Sequence, residues 1–130
     1  MRLTLFISTL ALLPAIAHAQ RGWKDIGTTS AGNHVYVDPR SIRREGSLVK
    51  ATVRVVFTEP VKARTGTWAS SRTIATFDCA KKTLAAKENV FYSDANSTKI
   101  TERTVNKQPG YGPALGGSLG GVALNYLCAR

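Results

Sequence analysis

Ser71-Arg72-Thr73-Ile74-Ala75-Thr76-Phe77-Asp78-Cys79 reads as a β-strand that ends on a cysteine. Thr73, Ala75, Phe77 and Cys79 fall on one side of a two-residue alternation. The sequence holds one other cysteine, Cys128, close to the C-terminus, so a single pairing is available. A Cys79–Cys128 bond would tie the tail of the chain to the middle of a sheet. The alternative is two free, buried thiols, and the choice between them depends on whether the chain is exported.

Working outward, the clearest strand lies just upstream. Val49, Ala51, Val53, Val55 and Phe57 alternate with Lys50, Thr52, Arg54, Val56 and Thr58. That is period two, with the odd positions facing a core and Lys50 and Arg54 facing solvent. A helix would instead place Lys50, Arg54 and Phe57 on one stripe, which cannot serve as a core. Residues 58–67, with Pro60, Lys62, Arg64 and Gly66, read as a hairpin loop to the strand that begins at Trp68. Trp68 sits on the opposite alternation from Phe77 unless a bulge intervenes.

Before these strands, Trp23 and Ile26 are the first large apolar groups and are expected against the sheet edge. Residues 28–33 are rich in turn formers. His34-Val35-Tyr36-Val37-Asp38 is a short β-prone run stopped by Pro39. Residues 39–46, bounded by Pro39 and Gly46, predict one helical turn or a tight loop. Downstream, residues 82–86 and 90–93 are expected to be two strands separated by a turn. Residues 94–97 form another turn, and residues 99–105 a polar edge strand. Residues 106–117 hold two prolines and four glycines and predict irregular backbone. Ser118 is a suitable N-cap for a helix over residues 119–128, with Val122 and Tyr126 on one face. Gly120 and Gly121 weaken that helix by roughly 1 kcal/mol each relative to alanine.

The chain starts with Met1-Arg2, an apolar run from Leu3 to Ile16, and Ala17-His18-Ala19. A basic start, a short apolar core and a small-x-small ending form a secretory signal peptide over residues 1–19, leaving residues 20–130 as one domain. No other stretch could span a bilayer. No cysteine follows the cleavage site, so a lipid anchor is not expected. The product would be periplasmic, surface-held or secreted, where a disulfide is favoured.

The sequence has 18 lysines and arginines against 8 carboxylates. Removing the signal peptide leaves a net charge of about +9, spread along the chain. Such a surface attracts acidic polymers, whereas export argues against nucleic acid. Arg43, Arg44, Lys62 and Arg64 are the preferred ligand-binding cations, because they sit in two segments, a Pro-Gly-bounded turn and a loop, where exposed cations have no evident acidic partner.

Catalytic signatures are missing: no CxxC, HExxH, GxSxG or Walker lysine occurs. His34 with Tyr36 and Asp38 would share a strand face, which reads as an exposed polar surface rather than an acid–base set. The glycine-rich stretch over residues 116–121 follows no strand with a suitable lysine, so it reads as a helix entry, not a phosphate loop. Asn96-Ser97-Thr98 is a glycosylation sequon that matters only in a eukaryotic secretory pathway. Nothing calls for a metal or cofactor, and the chain is read as a non-enzyme.

Several landmarks occur in a fixed order: Trp23 with Ile26; Tyr36-Val37-Asp38-Pro39-Arg40-Ser41-Ile42; Phe77-Asp78-Cys79-Ala80; Phe91-Tyr92; and Ser118 followed by Cys128. Together they resemble the surface-adhesin protein E family of Gram-negative bacteria over nearly all of the mature chain. The resemblance implies an α+β, mainly β fold: a single curved antiparallel sheet with a C-terminal helix tethered to one face by the disulfide. It also implies adhesion to host extracellular-matrix proteins. The family's founding adhesins are lipid-anchored, and this chain lacks the cysteine for that. The expectation is therefore an exported binding domain for a matrix protein or acidic polysaccharide. The alternative is a periplasmic or envelope-associated structural protein with no host ligand.

Overall fold

A computed structural model describes residues 22–129, so the expected signal peptide lies outside the described residues. Eight antiparallel strands form one curled sheet with a helix on one face. In chain order they are β1 (Lys24–Thr28), β2 (His34–Val37), β3 (Arg43–Glu45), β4 (Leu48–Ala63), β5 (Gly66–Asp78), β6 (Thr83–Tyr92), β7 (Ile100–Val105) and β8 (Gly112–Pro113). The sheet runs β1-β2-β4-β5-β6-β7, with β3 paired to β4 and β8 paired to β6. Helix α1 covers Leu119–Cys128, and a single 3-10 turn covers Pro39–Ser41.

The alternation in β4 holds. Val49, Ala51, Val53 and Val55 are buried, and the first three pack with Ala75 and Phe77 of β5 beneath Ala123, Leu124 and Leu127 of α1. Burying branched side chains on both surfaces is the main source of cohesion here. Ser118 caps the helix: its hydroxyl accepts from the Gly121 N–H at 3.1 Å. At the other end, Arg44 Nη1 donates to the Leu127 carbonyl at 2.6 Å, a cation against the negative pole of the helix. Cys79 and Cys128 are bonded, with their Cα atoms 5.5 Å apart and 49 positions apart in sequence. Closing a loop of that length contributes about 4 kcal/mol by the chain-entropy model.

Helix α1 tolerates its glycines for a packing reason. A Cβ at Gly120 would strike the Leu84 side chain, and one at Gly121 would strike the Leu115 carbonyl. The helix entry passes so close to the preceding turn that only a bare α-carbon fits.

Four expectations are corrected. Residues 58–67 are not a hairpin loop: β4 and β5 continue through them and turn only at Arg64 and Thr65. Pro60 is accommodated because the ladder shifts register between Val56 and Val61, where its missing N–H interrupts no regular pairing. Residues 39–46 contain the expected helical turn, but Arg43–Glu45 then pairs with β4 as a strand. Residues 83–92 form one strand without a turn, because Lys87 is taken up as a bulge opposite Ile74 and Ala75. Finally, Arg54 does not face solvent. It is 2 % exposed, whereas Phe57 is only half-buried.

Candidate functional site

The four cations singled out from sequence lie towards opposite ends of β4. Arg43 and Arg44 belong to β3, which pairs with the first residues of β4. Lys62 is in the last turn of the β4 ladder, and Arg64 is in the turn that joins β4 to β5. At about 3.3 Å per residue, the two pairs are separated by on the order of 40–50 Å along the strand. All four residues are exposed. Among the described residues none of them makes a salt bridge. They are not equally available, however. Arg43 Nη1 donates to the Arg40 and Ile42 carbonyls at 2.8 and 3.0 Å, and Arg44 is held by the end of α1. Among the described residues Lys62 and Arg64 have no such engagement; the neighbouring Thr65 hydroxyl donates to Glu102 at 3.3 Å.

The face away from α1 carries a feature that the sequence reading missed. In the register of the sheet, Arg54 lies opposite Arg72, Arg72 opposite Val90, and Val90 opposite Arg103. Three arginines therefore line up across four strands. Glu88 serves two of them, accepting from Arg72 Nη2 at 3.2 Å and from Arg103 Nε at 3.1 Å. Arg72 Nε also donates to the Tyr92 hydroxyl at 3.2 Å. Arg54 makes no salt bridge among the described residues. Its Nη2 donates to the Ala95 carbonyl, and its guanidinium lies 5.8 Å from the Trp23 ring centre and 6.0 Å from that of Tyr36. Its Nε is buried without a partner. Burial pushes this guanidinium below its ordinary pKa, opposed by Tyr36, Asp94 and Tyr92.

The loop over residues 93–99 covers Arg54 and is tied down by Asp94. That carboxylate accepts from Thr98 Oγ1 at 2.6 Å and from the N–H groups of Thr98 and Lys99, both at 2.9 Å. These bonds to the charged form hold its pKa down at about 2. The Ser70 hydroxyl donates to the Asp94 carbonyl at 2.6 Å, which anchors the loop to β5.

His34 Nδ1 lies 3.2 Å from Asp25 Oδ2, with both side chains about half exposed. Asp38, expected beside His34, instead caps the 3-10 turn by accepting from the Arg40 N–H at 3.0 Å. Among the described residues no group of three His, Cys, Asp or Glu side chains could hold a metal ion.

On the α1 side, the helix covers only part of the sheet. Beyond its N-terminus, Val55, Phe57, Ser71, Thr73, Asn89 and Phe91 form the floor of an open groove of about 520 Å³. The other wall is the turn at residues 29–31 and the helix entry at residues 115–119. Trp68 stacks on Phe91 with ring centres 3.9 Å apart, beside the register shift that leaves Ala69 out of the β4–β5 pairing.

Sequence comparison places residues 23–129 under the family described as Surface-adhesin protein E. No curated protein matches the chain. Among solved structures, crystal form II of Haemophilus influenzae protein E is similar, with a TM-score of 0.56 and 16% identity. It covers 82% of this chain and 87% of its own. A second structure of Haemophilus influenzae protein E gives a TM-score of 0.52 at 16% identity, covering 84% of this chain and 89% of its own. At that identity the likeness is one of fold.

Proposed function

The chain belongs to the surface-adhesin protein E family, and from that premise we propose that it is an exported, non-catalytic binding domain. It adheres to an extracellular-matrix protein or an acidic polymer through its cationic surface. The observation that carries the reading is the family match across residues 23–129, together with exposed cations that have no carboxylate partner among the described residues. Lys62 and Arg64 at the hairpin turn are the most available contacts, and Arg43 and Arg44 form a second cluster. The wide spacing of the two clusters favours a long polyanion, which bridges both, over a short one, which engages one at a time.

The test is binding of the mature chain to heparin and to an immobilised matrix protein across a salt series. Exposed charge pairs are screened over about 8 Å at physiological ionic strength, so affinity should fall as salt rises. A variant with Arg43, Arg44, Lys62 and Arg64 all changed to Ser should bind weakly, and short heparin fragments should bind less tightly than long ones. Salt-independent binding, or unchanged affinity in the variant, refutes the cationic surface as the adhesive element. Binding to neither ligand returns the protein to an envelope-associated structural role.

A further inference from the structure

We propose that the groove beside the N-terminus of α1 is a binding site for a neutral ligand with an aromatic or branched apolar body and one hydrogen-bond-accepting head. This inference stands apart from the cationic surface, and three observations carry it.

The first is charge. The chain carries a net charge of +10, yet among the described residues no Asp, Glu, Lys, Arg or His lines the groove. A site for an acidic ligand would be built from the cations this sequence has in excess, and here none is used. The apolar wall comes from Val55, Phe57, Phe91, Leu115 and Leu119. Two phenyl rings accept the face or edge of another ring. Leu115, 64% exposed on the rim, has apolar surface that only an occupant would bury.

The second is a set of polar groups on the floor. Ser71 is 3% exposed and Thr73 is 7% exposed, and both occupy the parity that Ala75 and Phe77 fill beneath the helix. Thr73 Oγ1 donates to Asn89 Oδ1 at 2.7 Å, which fixes the amide and leaves its Nδ2 as the end free to donate into the groove. The Ser71 hydroxyl and the Asn89 amide nitrogen are not among the buried, unpartnered polar atoms of the described residues; both belong to residues that line the groove, where a ligand can reach them. Two donors facing one apolar groove fit a carbonyl, ether or hydroxyl oxygen of a ligand.

The third is size. A groove of about 520 Å³ lies within the usual range of roughly 300–1,000 Å³ for small-molecule sites. A smaller recess of about 210 Å³, which shares Thr73, Asn89 and Leu119 with the groove, extends it towards Phe77 and Leu84.

The probe is Nile red, a neutral dye with a fused aromatic body and a carbonyl acceptor, titrated into the disulfide-bonded mature chain. The expected result is saturable one-to-one binding with blue-shifted emission, unchanged by salt. Phe57→Ser should weaken binding about 10-fold or more, and Asn89→Ala by roughly 3- to 10-fold, as expected for one hydrogen bond. Lys50→Gln, on the other face of β4, should leave it unchanged. Circular dichroism checks that each variant is folded, and Asn89→Ala keeps the test alive if Phe57→Ser does not fold. Absence of saturable binding overturns the proposal. So does equal affinity in wild type, Phe57→Ser and Asn89→Ala, or an affinity that follows ionic strength. Failure here leaves the heparin result untouched, and the converse holds.

Discussion

Replacing Arg54 tests the account of the sheet's second face. By alternation alone Arg54 points to solvent, and its loss would be nearly silent. In the fold it is 2 % exposed, donates to the Ala95 carbonyl and lies within 6.0 Å of two aromatic rings. A hydrogen bond from a charged donor contributes about 1.5–3 kcal/mol, and a desolvated cation–π contact up to about 2 kcal/mol. Against these stands the desolvation of a cation that has no salt-bridge partner, worth several kcal/mol on its own. The two sides nearly cancel, so what remains is the packed stem of the side chain. Arg54→Ala removes that stem and leaves a cavity, and should destabilise the domain by about 2–4 kcal/mol. Arg54→Met keeps most of the volume and discards the charge. It also relieves the like-charge pairing with Arg72 across the strands. The freed Ala95 carbonyl lies at an exposed residue and can turn to water. Arg54→Met should therefore fall within about 1 kcal/mol of the wild type.

Urea unfolding followed by far-ultraviolet circular dichroism measures both, with tryptophan fluorescence, to which Trp23 and Trp68 contribute, as a second probe. A loss under about 0.5 kcal/mol for Arg54→Ala would mean that the side chain is exposed in solution. Equal losses for Ala and Met would mean that the charge, not the volume, holds this face together.

Two further outcomes follow from single residues. Gly121→Ala should destabilise by about 1–3 kcal/mol, although alanine is the better helix former by roughly 1 kcal/mol, because its Cβ would meet the Leu115 carbonyl; a raised melting temperature would refute that contact. The Asp94 carboxyl, held down at about 2 by Thr98 and Lys99, has a folded pKa below the unfolded value of about 3.9. Its contribution is thus present above about pH 4 and is lost as the pH falls through 2. The amide resonances of Thr98 and Lys99 should titrate with a midpoint near 2, and a midpoint near 4 would show that the loop is not closed by these bonds.

The parts of the fold legible in the sequence are those decided by neighbours in the chain. Val49 to Val55 alternate cleanly because one side of β4 meets a helix and the other does not. The α1 start was legible because Ser118 is a local cap. Misreadings arose where a strand contains residues that usually break one. Pro60 and Gly66 look like a loop, yet the register shift and the tight turn absorb them. Lys87-Glu88-Asn89 looks like a turn, yet one bulged residue keeps the strand whole. The arginine row was illegible for another reason. Arg54, Arg72 and Arg103 become neighbours only through the register of β4 to β7, and Arg54 is buried by Trp23 and Ala95, neither adjacent to it in sequence.

The groove could have been anticipated from lengths alone. A helix of 10 residues is about 15 Å long. A strand of 16 residues spans roughly 50 Å at 3.3 Å per residue. Whatever its direction, α1 cannot cover the face of β4, so part of that face must meet solvent or a ligand. The side-chain pattern locates the uncovered part. Along β5 the positions facing α1 change from Phe77 and Ala75 to Thr73 and Ser71, and along β6 from Leu84 to Asn89. Simple exposure would explain the polar residues but not Phe57 and Phe91 beside them, since isolated polar floors do not need aromatic walls. Aromatic walls and accessible donors in one uncharged groove are instead the combination that recognises an apolar body with a polar head.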